Sequence, residues 1–246
     1  MTQINVAQAL FAANDEIAWS NQQHLHSLGI IAMNVMASPG AGKTSLLLKL
    51  LERLPKNVFK GVIEGDVASA LDTEKIIKAG FPAVQINTGG GCHLTAAMVA
   101  TAIQQFPSWE GPGVGFPLLG DVLSLSKGGE GVGQFQTSQQ GFLFIENIGN
   151  LICPSAYALG EDCKLVIASV PEGDDKPVKY PNIFAIADVI VLNKIDYLSH
   201  SDFNLAFFSK GIQAVNPAAP VFQVSCKTDT GLSELAAWVK ALKIED

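Results

Sequence analysis

Cys92 and His93 are adjacent in the stretch GGGCHL, residues 89–94, and their side chains have the chemistry of a reactive or a metal-binding pair. A thiolate beside an imidazole serves either as a nucleophile with its base or as a pair of metal ligands. Adjacent side chains on an extended segment rarely face each other, so we favour metal ligation over activation of a nucleophile. Two unrelated polar positions are the remaining alternative.

A second thiol, Cys153 in the stretch NLICP, follows another predicted strand, and both strands are expected to end at the same edge of a sheet. Thiolate and imidazole ligands suit Zn²⁺ or Ni²⁺. We therefore predict that Cys92, His93 and Cys153 bind Ni²⁺ or Zn²⁺. Three ligands leave the coordination open to water, a nearby side chain or a second subunit, which suits a metal carrier. Cys163 and Cys226 are interpreted as packing residues.

A phosphate-binding loop is indicated by ASPGAGKTS, residues 37–45, which lies between an apolar run and a helical pattern. It matches G-x-x-x-x-G-K-S/T except that Ala37 replaces the first glycine, which is tolerated if that backbone does not need a positive φ. Lys43 would bridge the β- and γ-phosphates as a catalytic residue, and the Thr44 hydroxyl would bind Mg²⁺. A glycine-rich turn before a core helix is the alternative. The predicted nucleotide-binding residues of the loop are Ser38, Pro39, Gly40, Ala41, Gly42, Lys43, Thr44 and Ser45.

A base-recognition motif, Asn193-Lys194-x-Asp196, stands at the end of the predicted strand in VLNKIDYL, residues 191–198. An aspartate carboxylate accepts hydrogen bonds from guanine N1–H and from its 2-amino group, a pattern that adenine does not offer. Because the motif follows a phosphate loop and stands at a strand end, it predicts GTP rather than ATP. The next predicted strand ends in residues that would hold the edge of the base, namely Ser225, Cys226 and Lys227.

Carboxylates are expected near the γ-phosphate. Asp66 stands at a strand end, Glu146 ends a buried strand, and Asp72 lies near a helix start. Magnesium prefers one or two carboxylates together with phosphate oxygens and water, so we predict a Mg²⁺ site of Thr44, Asp66 and Glu146. Asp72 would orient the attacking water as a catalytic residue. Its alternative role is that of an exposed first-turn acid that stabilises the helix dipole.

The elements that must position these residues alternate between apolar strands and helical patterns. One helix, or two, is predicted in residues 4–28, ending at Gly29. This alternation predicts an α/β fold of the P-loop NTPase type, with a mostly parallel β-sheet flanked by helices and an added N-terminal helix. Strands are predicted at residues 30–37, 58–65, 83–87, 141–147, 164–170, 188–194 and 220–225, and further helices at 45–54, 70–80, 94–106, about 201–215 and 231–243.

One stretch interrupts this alternation. Residues 108–140 are rich in Gly, Ser and Gln and lie where a connection of two to six residues is usual, so we predict an inserted surface loop of low order. The domain prediction is therefore a helical segment at residues 1–28 and a GTPase domain at residues 29–246 that carries this insert.

Composition limits the classes of partner. The chain has 246 residues, 48% of them apolar, and a formal net charge of −7, which argues against a mainly electrostatic grip on nucleic acid. Its start does not resemble a signal peptide, and no apolar run reaches the roughly 18 residues that span a bilayer. We expect a cytoplasmic protein that binds neither nucleic acid nor membrane.

Taken together, six motifs resemble those of the HypB family, the GTPase accessory proteins for nickel insertion into nickel–iron hydrogenases. The resemblance covers nearly the whole chain, and its motifs are SPGAGKTSLL, EGDVASALDTEKI, NTGGGCHL, IENIGNLICP, EGDDKPVKYPNIF and NKIDYL. The related urease accessory GTPases have Cys-Pro-His at the metal motif, whereas Cys92 and His93 are adjacent here.

The resemblance implies a nucleotide-dependent homodimer in which Cys92, His93 and Cys153 of each subunit hold Ni²⁺ or Zn²⁺ at the interface. It implies a HypA-type nickel protein and a hydrogenase large-subunit precursor as partners, and an approach of Lys176 to the nucleotide, across the dimer. Some family members carry an N-terminal cysteine motif or a His-rich stretch, and this chain has only His24 and His26 on its predicted helix. Nickel storage is therefore not expected, and the 108–140 insert is foreign to the family pattern.

Three functions follow from these motifs. The first is a slow, Mg²⁺-dependent GTPase that couples nucleotide state to delivery of Ni²⁺ for hydrogenase maturation. The second is a metal carrier that uses nucleotide only as a structural ligand. The third is a GTPase chaperone for another metalloenzyme, such as urease.

Overall fold

The computed structural model describes residues 6–66, 69–106, 110–111, 114–115 and 140–244. The first half contains α1 (Val6–Ser27), β1 (Ile30–Ala37), α2 (Lys43–Arg53), β2 (Lys60–Asp66), α3 (Leu71–Lys78), β3 (Ala83–Asn87), α4 (Ala96–Gln104), β4 (Glu110–Gly111) and β5 (Val114–Gly115). The second half contains β6 (Gly141–Glu146), β7 (Cys163–Ser169), α5 (Lys176–Lys179), α6 (Pro181–Ala185), β8 (Val189–Asn193), α7 (Leu205–Val215), β9 (Val221–Gln223) and α8 (Leu232–Ala241).

The main sheet has seven strands in the order β3-β2-β6-β1-β7-β8-β9, and every neighbouring pair is parallel. This confirms the predicted α/β fold. The carboxyl ends of β1, β2, β3, β6 and β8 therefore meet at one edge of the sheet, where parallel α/β proteins bind ligands.

Helices cover both faces of the sheet. In β1, Ile31, Met33 and Val35 face a core shared with α2, α3 and α8, while Ile30 and Ala32 face a core shared with α1 and α4. The helices α6 and α7 cover the β7–β8 half of this second face. Burial on both faces explains why β1 is a continuous apolar run rather than an alternating one.

The predicted N-terminal helix is one helix, α1, which packs against α4 and β1. The predicted insert at 108–140 lies outside the described residues, apart from Gln140 and the short antiparallel pair β4–β5. The predicted boundary at residue 28 between helical segment and domain stays a prediction. None of the helices in the described part of the chain combines the length and apolar character that crossing a bilayer requires.

Candidate functional site

The phosphate loop joins β1 to α2 at the centre of the sheet. Gly40 and Gly42 adopt φ values of +77° and +94°, a region that favours glycine. A β-carbon at Gly42 would lie 2.6 Å from Asn193 Nδ2, so this position also needs glycine for space. Ala37, which replaces the first glycine of the motif, is the last residue of β1 and pairs with Ile167. Its extended backbone explains why alanine is accepted there.

The base-recognition motif is fastened directly to the phosphate loop. Asn193 Nδ2 donates to the Ala41 carbonyl (2.9 Å), and Lys194 Nζ donates to the Gly40 carbonyl (2.5 Å). Lys194 itself has a φ of +60°, a left-handed conformation that few residues other than glycine adopt. The two halves of the predicted GTP site are therefore held together by hydrogen bonds in the protein itself.

Asp196 is held from the next strand end. Ser225 Oγ donates to Asp196 Oδ1 (2.7 Å) and accepts from the backbone N–H groups of Lys227 and Thr228, each at 3.2 Å. Ser225 thus supports the carboxylate predicted to bind the base. Cys226, interpreted from sequence both as a packing residue and as part of the base site, packs against the core and lines the cleft.

The predicted nucleotide residues line a cleft with two adjoining compartments of about 520 Å³ and about 340 Å³. Both compartments are lined by Gly42, Ser45, Leu48 and Lys194. The larger is also lined by Asn193, Asp196, Cys226 and Lys227, and the smaller by Gly40, Lys43, Thr44, Asp72, Lys75 and Glu146. Ser38, Pro39, Ala41 and Ser225 line neither compartment, but Ala41 and Ser225 are hydrogen-bonded to the lining residues Asn193 and Asp196. The cleft therefore has a base end and a phosphate end.

A carboxylate cluster closes the phosphate end. Oxygen atoms of Glu64, Asp72 and Glu146 all lie within 4.8 Å of one another. Glu64 and Glu146 are direct neighbours in the register of β2 and β6, and Thr44 Oγ1 donates to Glu146 Oε1 (3.2 Å). Burial, helped by the nearby Glu64 and Asp72 and opposed by Lys43, raises the pKa of Glu146 to about 7. These oxygen donors are of the kind that Mg²⁺ prefers.

Glu146 Oε2 is buried without a hydrogen-bond partner among the described residues. An unpaired buried carboxylate oxygen is costly, and a cation bound beside it would remove that cost. The donor set and this unpaired oxygen therefore fit a divalent cation at the phosphate end.

The sequence prediction found two of the three clustered carboxylates and missed Glu64. Burial also raises the pKa of Glu64, whose Oε2 accepts from Thr73 Oγ1 (2.7 Å). A glutamate directly after the apolar pair Val62 and Ile63, inside a buried strand, was the available signal. Asp66 Oδ2 accepts from the Ser69 N–H (3.2 Å), and Asp66 is not part of the cluster, so its Mg²⁺ role stays a prediction.

Asp72 has features of both predicted roles, the catalytic residue and the first-turn acid of a helix. It lies in the first turn of α3, where an acid stabilises the helix dipole, and it is also a member of the carboxylate cluster. Its Oδ1 pairs with Lys75 Nζ at 2.6 Å, and Lys75 lines the phosphate end of the cleft. Lys75 was not predicted as a site residue, although Lys75 lies three residues after Asp72 on the same helix face.

Cys92, His93 and Cys153 meet as predicted from their places after β3 and β6. Their candidate ligand atoms all lie within 4.8 Å of one another. A hydrogen bond with Cys153 and burial raise the pKa of the Cys92 thiol, and burial lowers the pKa of His93. Both shifts favour the neutral form of the side chain, which disfavours a thiolate nucleophile in the metal-free protein.

The expectation that the side chains of Cys92 and His93 do not face each other is wrong. Cys92 Sγ and His93 Nδ1 lie 3.4 Å apart, so these adjacent side chains do face each other. The segment is bent rather than extended, because Gly89 and Gly90 before it adopt φ values of +59° and +105°. The bend brings both ligands to the same side of the loop.

Asn150 joins the two ligand segments. Its Nδ2 donates to the Cys92 carbonyl (3.2 Å), and its Oδ1 accepts from the N–H groups of Ile152 (2.8 Å) and Cys153 (3.4 Å). Of the remaining sequence candidates, Cys163 is buried in the core, as expected of a packing residue. Lys176 Nζ lies over the Tyr180 ring, 5.6 Å from its centroid, and lines neither compartment of the cleft.

The parallel sheet, the phosphate loop after β1 and the cleft beneath Asn193 and Asp196 define a P-loop nucleotide-binding protein. Residues 31–223 match the family described as CobW/HypB/UreG, nucleotide-binding domain. The chain belongs to this family and, within it, to the HypB hydrogenase maturation factors, as the following relatives show.

The hydrogenase maturation factor HypB of Rhizobium leguminosarum bv. viciae is 39% identical over 237 residues, covering 96% of this chain and 70% of the relative. The hydrogenase/urease maturation factor HypB of Helicobacter pylori strain J99 is 34% identical over 243 residues, covering 99% and 89%. The crystal structure of Helicobacter pylori HypB in complex with nickel has a TM-score of 0.76 at 34% identity, covering 92% of this chain and 93% of that one. The Archaeoglobus fulgidus HypB structure has a TM-score of 0.73 at 32% identity, covering 93% and 97%.

Proposed function

We propose that the chain is a Mg²⁺-dependent GTPase that couples the state of its nucleotide to the binding and delivery of Ni²⁺ during hydrogenase maturation. The observation that carries this proposal is the segment 146–153. Its Glu146 lies in the carboxylate cluster, its Gly149 lies against Pro39 of the phosphate loop, and its Asn150 holds the Cys92 and Cys153 backbones. A change at the γ-phosphate therefore has a short covalent path to the metal ligands.

GTP occupies the cleft in this proposal, with its base at Asp196 and its phosphates at the N-terminus of α2. Thr44 and Glu146, whose Oε2 is unpaired, would hold Mg²⁺, with Asp66 or Glu64 supporting them. When bound, Mg²⁺ neutralises the charge that develops on the β- and γ-phosphate oxygens.

Two residues carry the hydrolysis step in this proposal. Lys43 contacts the β- and γ-phosphates, and Asp72 orients the attacking water from the phosphate end of the cleft. Hydrolysis is slow in the isolated protein, because enzymes of this class need a completed switch geometry.

Ni²⁺ is the cargo, and Zn²⁺ is a competing ion with the same ligand preferences. Cys92, His93 and Cys153 supply three ligands, which leaves a coordination position for exchange. Ile152, beside Cys153, exposes 64% of its surface, and an exposed apolar side chain next to an incomplete metal site suits contact with a second copy of the chain. We therefore propose a nucleotide-dependent homodimer that meets at this edge.

The partners in this proposal are a HypA-type nickel protein that supplies the ion and a hydrogenase large-subunit precursor that receives it, in the cytoplasm. The Helicobacter pylori relative is named a hydrogenase/urease maturation factor. Urease is therefore the second candidate target.

The test measures Ni²⁺ and Zn²⁺ affinity and the mass of the particle, in GDP and in a non-hydrolysable GTP analogue. The variants are Cys92→Ala, His93→Ala and Lys43→Ala, with His200→Ala as a matched exposed histidine. We expect metal binding to need Cys92 and His93 and to shift with nucleotide, and by linkage Ni²⁺ must change GTP affinity by the same factor.

Each alternative predicts a different result. Metal affinity that is the same in both nucleotides, without GTP turnover, would favour a metal carrier that uses nucleotide structurally. GTP turnover that Lys43→Ala abolishes counts against that carrier. Binding that survives Cys92→Ala would refute the proposed metal site.

A further inference from the structure

The N-terminal helix α1 is hydrogen-bonded to both segments that carry the metal ligands. Asn14 Oδ1 accepts from the Ala96 N–H (2.9 Å), and Asn14 Nδ2 donates to the Ala158 carbonyl (2.8 Å). Seven residues later, Asn21 Nδ2 donates to the carbonyls of Ala96 (2.9 Å) and Leu159 (3.0 Å). Because seven residues make about two helical turns, both asparagines lie on one face of α1.

The contacted residues stand just after the ligands. Ala96 opens α4 three residues beyond His93, and Ala158 follows the turn Cys153–Ala156 that begins with a ligand. Both asparagines are buried, so their hydrogen bonds are made away from water, where losing one is costly. α1 therefore fixes the position of one ligand segment relative to the other.

The close approach of α1 to the second segment is also visible at Gly160. This residue has a φ of +99°, and a β-carbon there would lie 2.7 Å from the Ala18 carbonyl oxygen and 2.6 Å from Asn21 Cβ. Helix and segment are thus in direct contact, with no space for a side chain between them.

A line of aromatic rings continues from α1 to the metal site. The rings of His93 and Tyr157 are stacked, with centroids 4.0 Å apart and an interplanar angle of 16°. The Tyr157 ring in turn lies 5.1 Å from the Phe11 ring of α1, at 47°. A ring that covers the flat face of an imidazole restricts rotation of that imidazole. Hydrogen-bonded outer partners have the same orienting effect on metal-binding histidines.

We propose that Tyr157 is a positioning residue for the ligand His93, and that α1 sets the metal affinity by holding Tyr157 and both ligand segments in place. In this arrangement the docked helix α1 keeps the three ligands within reach of one ion. This inference rests on the metal-binding part of the proposed function.

The test compares Tyr157→Leu with Tyr157→Phe, which keeps the aromatic ring. Ni²⁺ affinity is measured by competition with a chelating indicator, ligand geometry by the sulfur-to-nickel charge-transfer absorption, and GTP affinity in parallel. We expect Tyr157→Leu to weaken Ni²⁺ binding roughly 10-fold or more, as loss of outer partners of metal ligands does. Tyr157→Phe should stay within about twofold of wild type, because it keeps the aromatic ring that stacks on His93.

Two further variants separate the helix from the ring. Asn14→Ala and Asn21→Ala, each made as a single variant, should weaken Ni²⁺ binding while GTP affinity is unchanged. Trp19→Leu is the matched control, since Trp19 lies on the same helix but exposes 65% of its surface. If Trp19→Leu weakens Ni²⁺ binding as much as Tyr157→Leu, the effect is a general loosening of α1 and the positioning role is refuted.

A metal-free measurement distinguishes failure of this inference from failure of the proposed function. Stacking on Tyr157 shifts the His93 ring protons upfield in NMR spectra, and Tyr157→Leu should remove that shift. If wild type binds Ni²⁺ and Tyr157→Leu binds it equally well, the inference is wrong and the proposed function stands. If wild type binds neither Ni²⁺ nor Zn²⁺, the proposed function falls and the metal role of Tyr157 falls with it, while the NMR shift still decides the ring contact.

Discussion

Gly149 lies directly against Pro39. A β-carbon at Gly149 would come within 3.0 Å of both the Pro39 ring Cγ and the Pro39 backbone nitrogen, and within 3.1 Å of its Cα. Pro39 belongs to the phosphate loop, whereas Gly149 lies between Glu146 of the carboxylate cluster and Asn150 beside the metal ligands. This contact joins the phosphate loop to the segment that leads to the proposed metal site, without any charged group.

Gly149→Ala should therefore change the effect of nucleotide on Ni²⁺ affinity more than it changes Ni²⁺ affinity without nucleotide. The added methyl group must displace Pro39 by a few tenths of an ångström. We expect the difference in Ni²⁺ affinity between the GDP and GTP-analogue states to change by about 2- to 30-fold, the range of coupling effects from such substitutions. Ni²⁺ affinity without nucleotide should match wild type. Titration of Ni²⁺ in the three states checks this, and an unchanged difference would show that the contact does not couple the sites.

Gly40 and Gly42 of the phosphate loop should differ in how much stability each loses on substitution by alanine. Gly42→Ala brings a β-carbon to 2.6 Å from Asn193 Nδ2, which donates to the Ala41 carbonyl, whereas a β-carbon at Gly40 meets nothing within 4 Å. Both variants bear the left-handed backbone cost of about 1–2 kcal/mol. Gly42→Ala additionally loses a buried hydrogen bond worth about 1 kcal/mol and must relieve the clash.

Denaturant unfolding without nucleotide is the appropriate measurement, because it avoids steric contact between the new methyl group and a phosphate. We expect the free energy of unfolding to fall more for Gly42→Ala than for Gly40→Ala. Equal losses would mean that Asn193 moves freely and does not fix the loop.

The strands, their parallel pairing and the meeting of Cys92, His93 and Cys153 followed from the sequence because each depends on local pattern. Apolar runs give the strands, parallel strands bring their carboxyl ends to one edge, and Cys92, His93 and Cys153 all follow such ends. Glu64 was missed because its importance depends on the register between β2 and β6, which sets it opposite Glu146. Strand order and register arise from tertiary packing, and a single sequence does not encode them locally.

The same limit explains why the contacts of Tyr157 and α1 with the ligand segments were not predicted from the sequence. The helical period of residues 4–28 gave the helix, but not the helix or loop on which Asn14 and Asn21 would dock. Likewise, the distance between Cys92 Sγ and His93 Nδ1 depends on the bend at Gly89 and Gly90 rather than on residue types. Sequence therefore predicted which candidate groups lie together better than it predicted which groups hold them in place.

Asn150 offers a way to test the bridge between the ligand segments. Asn150→Ala removes the donor to the Cys92 carbonyl and the acceptor for the Ile152 and Cys153 N–H groups. Asn150→Asp keeps the acceptor but replaces the donor with an oxygen that cannot bond the carbonyl. We expect both variants to weaken Ni²⁺ binding, Asn150→Ala by about 10-fold or more, since outer-shell losses have that size.

The two Asn150 variants distinguish the hydrogen bond to the Cys92 carbonyl from the hydrogen bonds that hold the turn before Cys153. Isothermal titration with Ni²⁺ gives the affinities, and GTP binding serves as the control for folding. Wild-type Ni²⁺ affinity in Asn150→Asp would show that the turn before Cys153, and not the bridge to Cys92, is what matters.

The pKa of Glu146 predicts a pH dependence of stability in the metal-free protein. Burial raises this pKa from 4.5 to about 7, so between these values the folded state binds a proton that the unfolded state has released. The stabilising contribution of the neutral carboxyl is therefore fully present below pH 4.5 and is lost as the pH rises through about 7. The shift corresponds to about 3 kcal/mol as an order of magnitude.

Glu146→Gln replaces the carboxyl with a neutral amide of similar shape and should remove this dependence. Other titrating groups are common to both proteins, so the difference in unfolding free energy between variant and wild type isolates Glu146 to first order. We expect the variant to gain stability relative to wild type as the pH rises from 5 to about 7, by about 2–3 kcal/mol, with little further change above the raised pKa. Urea unfolding across this range, with chelator present, measures it. Parallel stability curves would mean that Glu146 already ionises at its ordinary pKa, and that its Oε2 is solvated or paired in the folded protein.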